Sequence, residues 1–225
     1  MAEKTEEYVR RVFSGINQSY DRLDSLISLF MDNRWRKQII RLLEVDDAAT
    51  VLDCGAGTGK LTELLQRRFA GIHTISLDIT EDMFRPERNQ TTRFIKGSAE
   101  SMPLEDHSID AVVSAYMTRN LVRIDNYFSE SYRVLKPGGR LVNMDIFNPS
   151  IPVFSQFFSI YFYKLVPVLG NFLSGTESYS YLARSVKTFY SPSEVKAKLE
   201  KAGFMDVKCS RIMLGSVFIH TGIKP

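Results

Sequence analysis

The sequence predicts an α/β protein built on a Rossmann-like sheet of seven mostly parallel strands, and three observations carry that prediction. The first is residues 51–59, Val-Leu-Asp-Cys-Gly-Ala-Gly-Thr-Gly, where a short apolar run ends in an acid and three glycines follow at alternate positions. Leu61, Leu64 and Leu65 then fall at helical spacing, so the stretch reads as a buried strand, a tight turn and a helix N-terminus. The second is Ile75-Ser76-Leu77-Asp78, another apolar run closed by an acid. The third is the rhythm downstream, where short strands alternate with helical patterns as βαβ units do.

Composition sets the outer bounds. With 225 residues, 44% of them hydrophobic, the chain can bury a substantial core as one domain, 1–225. A net charge of +3 is spread over short clusters, Arg10-Arg11, Arg34 to Lys37 and Arg67-Arg68. These read as solvated helix faces and argue against nucleic acid as a partner. Cys54 and Cys209 stand far apart and the histidines are isolated, so neither a disulfide framework nor a metal site is expected. Residues 1–7 are polar and acidic, without the apolar core of a secretion signal, which points to a cytoplasmic protein whose leading segment need not be ordered.

The glycine loop selects the ligand. Glycine lets the chain turn sharply and lets a ligand approach where a Cβ would stand. The free N–H groups of the following helix favour an anionic group. A dinucleotide fingerprint needs glycine at position 60, which is Lys60. A phosphate-binding P-loop needs glycine at Cys54 and Ser or Thr at Leu61. The acid-x-Gly-x-Gly-x-Gly that remains resembles the cofactor loop of class I S-adenosylmethionine-dependent methyltransferases. Asp78, at the end of the second strand, is then suited to accept hydrogen bonds from ribose hydroxyls.

Taken in order, residues 1–45 are helical. Tyr8, Val12 and Ile16 form one stripe; Leu23, Leu26, Ile27 and Phe30 form a second. After an Asp32-Asn33 cap, Trp35, Ile39, Ile40, Leu42 and Leu43 form a third. This exceeds what a bare Rossmann core needs and reads as a lid or substrate wall. Past the loop come strand His73–Asp78, a short helix near 81–88, strand Arg93–Lys96 and the loop Gly97-Ser98-Ala99-Glu100, suited to meet an adenine edge. Ile109–Ala115 is a fully buried strand, and loop 116–120 lies at its carboxyl end, the edge where parallel sheets bind ligands. A helix over 126–135 runs into the turn Lys136-Pro137-Gly138-Gly139 and a strand over 141–146.

Residues 151–187 form a helical insertion after the fifth strand. Its aromatic part, 151–175, is interrupted by Lys164 and Pro167 and reads as too short to span a bilayer, which takes ~20 continuous apolar residues. A helix packed on the sheet and the wall of a pocket for a greasy substrate fit it equally. Ser191-Pro192-Ser193-Glu194 is a capping box, its helix ends at Gly203, and the pairs Glu194/Lys198 and Lys196/Glu200 mark a solvated side. Strands over 204–210 and 213–222 close the chain.

From Phe13 to the end, in one register, the chain resembles the ubiquinone/menaquinone biosynthesis C-methyltransferases. The residues that carry this are Ser19-Tyr20-Asp21, Arg34-Trp35-Arg36, the glycine loop, Gly97-Ser98-Ala99-Glu100, Arg119-Asn120, Tyr132-Arg133-Val134-Leu135-Lys136-Pro137-Gly138-Gly139 and Glu177-Ser178-Tyr179-x-Tyr181-Leu182. The resemblance implies S-adenosylmethionine as cofactor, held by Asp53, Gly55, Ala56, Gly57, Asp78, Ile79, Ser98, Ala99, Glu100 and Ala115. It implies a prenylated quinol precursor, such as demethylmenaquinol, as acceptor. A ring carbon becomes nucleophilic when the adjacent phenol loses its proton, so a cation or a base must lie beside it. The candidates are Arg119 for charge stabilisation, Asn120 and Tyr20 for orientation, and Tyr181 or Asp145 for proton handling. Weak contact with a membrane surface and a homodimer are compatible with this reading.

The chain also departs from the family. Ser98 replaces an Asp or Asn, Met117-Thr118 replaces Gly-Leu, Asp24 replaces Asn, and the segment between Asp78 and Phe94 is shorter. Met117 is expected to narrow any pocket beside its loop. Two other functions stay open: O- or N-methylation of another small molecule, and a non-catalytic cofactor-binding partner subunit.

Overall fold

The computed structural model describes residues 4–16, 20–88 and 91–225; Ser19 of the Tyr20-Asp21 motif lies outside them. The strands are β1 Thr50–Cys54, β2 His73–Asp78, β3 Arg93–Lys96, β4 Ile109–Ala115, β5 Leu135–Ile146, β6 Met205–Ile212 and β7 Val217–Ile223. They form one sheet in the order β3-β2-β1-β4-β5-β7-β6. β1 to β5 run parallel, and β7 enters antiparallel between β5 and β6. The chain reverses its direction of travel across the sheet between β1 and β4, and such a switch point opens a crevice at the strands' carboxyl ends.

Helices α1 Glu6–Ser14, α2 Tyr20–Ile27 and α3 Asp32–Leu43 precede the sheet, α4 Lys60–Arg68 follows β1, and α5 Ile124–Val134 leads into β5. After β5 come α6 Pro152–Ser174, α7 Ser178–Lys187 and α8 Pro192–Lys201. One face of the sheet is covered by Tyr127, Phe128, Val195 and Leu199, the other by Trp35, Ile39, Leu43 and Leu65. A third cluster joins Ile16 and Leu23 to Phe158, Phe162, Tyr179 and Val186, so the N-terminal helices and the insertion pack on one another.

Several local expectations give way to tertiary forces. The helix near 81–88 is a single 3-10 turn, Glu81–Met83, because Pro86 lacks an N–H and pushes its predecessor out of the helical region. Asp32 opens α3 but caps nothing; the N-cap is Met31 without a side-chain bond. Its carboxylate is taken by Arg36 (2.7 Å) and Lys60 (3.2 Å). Arg36 is therefore buried, not part of a solvated face. Lys198 reaches Asp125 (2.9 Å) instead of Glu194, whose carboxylate completes the capping box. Lys136-Pro137-Gly138-Gly139 does not separate a helix from a new strand: β5 runs from Leu135, with the register against β4 shifted at that point. The last strands are displaced by a few residues, with a turn at Met213–Gly215 between them.

The aromatic insertion is the largest difference. Lys164 and Pro167 do not interrupt it: Pro152–Ser174 is one helix of 23 residues, long and apolar enough by composition to cross a membrane. A π turn at Tyr161–Leu165 widens the helix just ahead of Pro167. It absorbs the missing N–H and the ring clash that would otherwise break it. Only 22% of the helix's most apolar window is buried. On the packed side, Gly170 lies so close to α7 that a Cβ there would stand 2.3 Å from Tyr179 Cγ. Gly170→Ala is expected to destabilise the fold by about 1–3 kcal/mol despite alanine's better helix propensity, measured as a shift in the denaturant midpoint.

Candidate active site

Two clefts open at the carboxyl edge of the sheet. The first, of about 90 Å³, lies over the ends of β1, β2 and β4. Gly55 and Gly57 form its cradle with φ of +67° and +54°, a region costly for residues with a Cβ. The Gly57 N–H donates to Asp78 Oδ2 (2.8 Å) and the Thr80 N–H to Oδ1 (2.7 Å), so the carboxylate is pinned on the cleft wall. Burial raises the Asp78 carboxyl, and those N–H groups work against the shift. Eight of the anticipated cofactor residues line this cleft: Gly55, Gly57, Asp78, Ile79, Ser98, Ala99, Glu100 and Ala115. A Cβ-free cradle beside a carboxylate and an apolar wall fits an adenosyl group with a ribose diol.

Asp53 and Ala56 line an adjoining cavity of about 30 Å³ that shares Tyr20, Gly55, Gly57 and Ala115 with this cleft. Asp53 accepts the Thr62 hydroxyl (2.7 Å), tying β1 to α4. Burial pushes its carboxyl up to about 7. Glu100 borders the cleft, but its carboxylate accepts the Val122 and Arg123 N–H groups (2.7 and 2.9 Å) ahead of α5. The Ser98 hydroxyl is bonded to Glu6 of α1. Val9 and Phe13 of α1, with Thr80, Met83 and Leu121, complete the cleft and were not anticipated. Met117 does narrow this region, because it lies so close that a Cβ on Gly55 would stand 2.3 Å from its Cγ.

The second cleft is larger, about 260 Å³, and apolar. Phe154, Phe158 and Phe162 of α6 face Phe13, Tyr20 and Trp35 across it. Among the described residues only two charged groups line it, Asp24 and Arg119. Tyr116 borders both clefts and ends β4 with φ +64°, a strained value for an aromatic residue. Its carbonyl accepts Arg119 Nη1 (2.6 Å) and Asn120 Nδ2 (3.1 Å), and the Arg36 guanidinium lies 5.0 Å from its ring centre. Loop 116–120 had the right position at the strand's edge; the reversed backbone at Tyr116 had no local sign.

Arg119 is fixed from several sides. Nη1 also donates to Asp145 Oδ1 (2.6 Å), and Oδ2 of the same carboxylate accepts the Arg119 N–H (2.9 Å) and the Thr118 hydroxyl (2.7 Å). Asp145 is fully buried and does not border the cavity. The Tyr181 hydroxyl donates to Asn120 Oδ1 (3.2 Å), and burial pushes that phenol up to about 12. Arg119 Nε and the hydroxyls of Tyr116 and Tyr179 are buried with no hydrogen-bond partner in the protein. All three residues line the larger cleft. Buried polar atoms without partners are costly, and these three gather beside one cleft.

A charge network seats α2 and α3 on the glycine loop. Asp21 accepts the Thr58 hydroxyl (2.7 Å) and Arg88 Nη1 (2.8 Å), while Arg36 Nη2 reaches Asp24 (3.1 Å).

The sheet order, with its antiparallel seventh strand, and the acid-walled glycine cradle define a class I methyltransferase that takes its methyl group from S-adenosylmethionine. The sequence model of the ubiE/COQ5 methyltransferase family matches residues 1–224, and the chain belongs to that family. It is 33% identical to a demethylmenaquinone methyltransferase of Listeria monocytogenes, over all of this chain and 98% of that protein. It is 32% identical to a ubiquinone/menaquinone biosynthesis C-methyltransferase of Hahella chejuensis, over 97% and 92% of the two chains. The fold is similar to a solved methyltransferase from Thermotoga maritima, with a TM-score of 0.71 at 20% identity, covering 96% of this chain and 99% of that one.

A carboxyl whose folded pKa is raised costs the native state stability as pH climbs from its ordinary value, 3.8, to about 7. Asp53→Asn lacks that titration. The stability difference, variant minus wild type, is expected to grow in the variant's favour from pH 4 to about 7 and level off above, read from paired denaturant titrations.

Proposed function

We propose that the acceptor is a prenylated quinol of the demethylmenaquinol type, methylated on a ring carbon. The observation that carries this reading is the larger cleft: apolar, aromatic-walled, with one carboxylate and one guanidinium as its charged groups and Tyr116 shared with the cofactor cleft. The relatives named above as demethylmenaquinone and ubiquinone/menaquinone methyltransferases support it.

S-adenosylmethionine, held by Gly55, Gly57, Asp78 and the 98–100 loop, supplies a methyl group already activated on a sulfonium. The protein has to orient the acceptor, exclude water and raise the nucleophilicity of one ring carbon. Arg119 does the last: on the wall of the larger cleft, its cation stabilises the phenolate whose charge spreads to that carbon. Asp24, the carboxylate on the cavity wall, accepts the phenol proton, and the ring carbon that gains the methyl loses its own hydrogen to water as a proton, which restores the aromatic quinol. Tyr20 lines both clefts and, with Asn120, orients the ring; Tyr181 acts through Asn120. Asp145 holds Arg119 in place. The prenyl tail lies along Phe154, Phe158 and Phe162. A substrate with such a tail resides in a bilayer, so this is a cytoplasmic enzyme that works at the membrane periphery.

Arg119→Gln is expected to lower kcat/KM for a short-tailed demethylmenaquinol by about 10²–10³ with S-adenosylmethionine affinity retained. No turnover of any quinol by a wild type that binds the cofactor overturns the acceptor assignment. Asp24→Asn is expected to lose about 10² in kcat/KM with S-adenosylmethionine affinity retained; unchanged turnover means that another group takes the proton.

A further inference from the structure

The exposed face of α6 has no partner in the fold. Phe158, Phe162, Val166 and Gly170, one turn apart, are buried on its inner side. On its outer side Val153, Phe157, Val168 and Phe172 stand in solvent, Phe172 at 84% exposure. From 152 to 174 there is no acidic residue, and Lys164 is the one charge. A solvated helix of this length normally carries a polar outer face.

Two loops extend the same surface. Leu29 and Phe30 both have positive φ, 52° and 61°, and so do Met213 and Leu214, 45° and 54°. Four residues with a Cβ thus hold a conformation that costs energy, and each pair carries an exposed apolar side chain outward, Phe30 at 74% exposure. Leu29, Met213 and Phe157 are exposed and also line the larger cleft, so the cleft opens through this patch.

We propose that this patch is a lipid-docking surface: α6 lies in the plane of the bilayer interface with Phe30 and Leu214 beside it, and the acceptor cavity opens directly into the hydrocarbon. The occupant is lipid and not a second copy of the chain, because a protein seated there would close the mouth through which an acceptor enters. The charges agree: Arg34 and Lys37 stand exposed on α3 just after Phe30, and with Lys164 they complement anionic headgroups. α6 lies on the bilayer and does not cross it, since its inner face is packed on α7 with no room for a side chain at Gly170. This docking rests on the prenylated-acceptor reading above and adds a delivery route to it: the tail stays in the bilayer while the ring enters the protein.

The test is flotation of the protein with phosphatidylcholine vesicles, with and without phosphatidylglycerol, alongside turnover of two demethylmenaquinols, one with a single isoprene unit in solution and one long-tailed in vesicles. The wild type should float, and more tightly with phosphatidylglycerol. Phe30→Glu/Phe172→Glu should weaken flotation and long-tail turnover by about tenfold or more, while cofactor affinity and short-tail turnover stay within about twofold. Phe172→Glu alone, at the most exposed position, serves if the double variant does not fold. A wild type that does not float, or a variant that floats equally well, overturns the proposal. A wild-type dimer that Phe172→Glu splits, without flotation, assigns the face to a second copy and overturns it too. Flotation without turnover of either quinol upholds the docking and sinks only the acceptor assignment.

Discussion

The site depends on the backbone of one residue, Tyr116. Where β4 ends, its φ of +64° turns the chain back on itself, against the preference of an aromatic L-residue, at a cost of about 1–3 kcal/mol. That reversal has three consequences. It lays Met117 against Gly55, closing one side of the cofactor cleft. It exposes the Tyr116 carbonyl to Arg119 and Asn120, and it brings Arg119 back onto Asp145. With a relaxed backbone here, the cation of the larger cleft and the wall of the smaller one would lose their common anchor. Arg36 over the ring and the carbonyl's two hydrogen bonds offset the strain.

The buried charges serve placement more than stability. Arg36 and Asp32 are both withdrawn from water, and the desolvation of two ions offsets much of their attraction. What the network does is specify geometry. Asp21 touches Thr58 and Arg88, Lys60 touches Asp32, and Asp24 faces the acceptor cavity while paired to Arg36. The N-terminal helices are thereby registered to the glycine loop, so the aromatic wall of one cleft and the cradle of the other keep a fixed relation.

What was legible in the sequence was local. The glycine loop, the acids closing β1 and β2 and the capping box of α8 each depend on neighbours within a few residues, and each stands where the pattern put it. Most of the smaller cleft's lining followed, because Gly55, Gly57, Asp78 and the 98–100 loop belong to strand ends that parallel topology gathers at one edge. What escaped depends on partners far along the chain. Asp32 stands one turn before Arg36, but nothing near Arg36 foretells its second acid at 24, and nothing near Lys198 foretells Asp125. Pro167 read as a helix break because a single π turn that accommodates it has no sequence signature. The resemblance implied a cofactor contact for Asp53, and Asp145 was a candidate for proton handling; the sequence did not show that the two carboxylates also hold Thr62 and Arg119.

Trp35 has a consequence of another kind. It is the only tryptophan in the chain, it is buried, and it borders the larger cleft but not the smaller one. Excited at the red edge of its absorption, where the ten tyrosines are dark, the protein emits from one indole at one known wall. A molecule entering that cleft changes the polarity around the indole, and the emission shifts with it. The fold thus has a built-in optical reporter on one of its two clefts and not on the other.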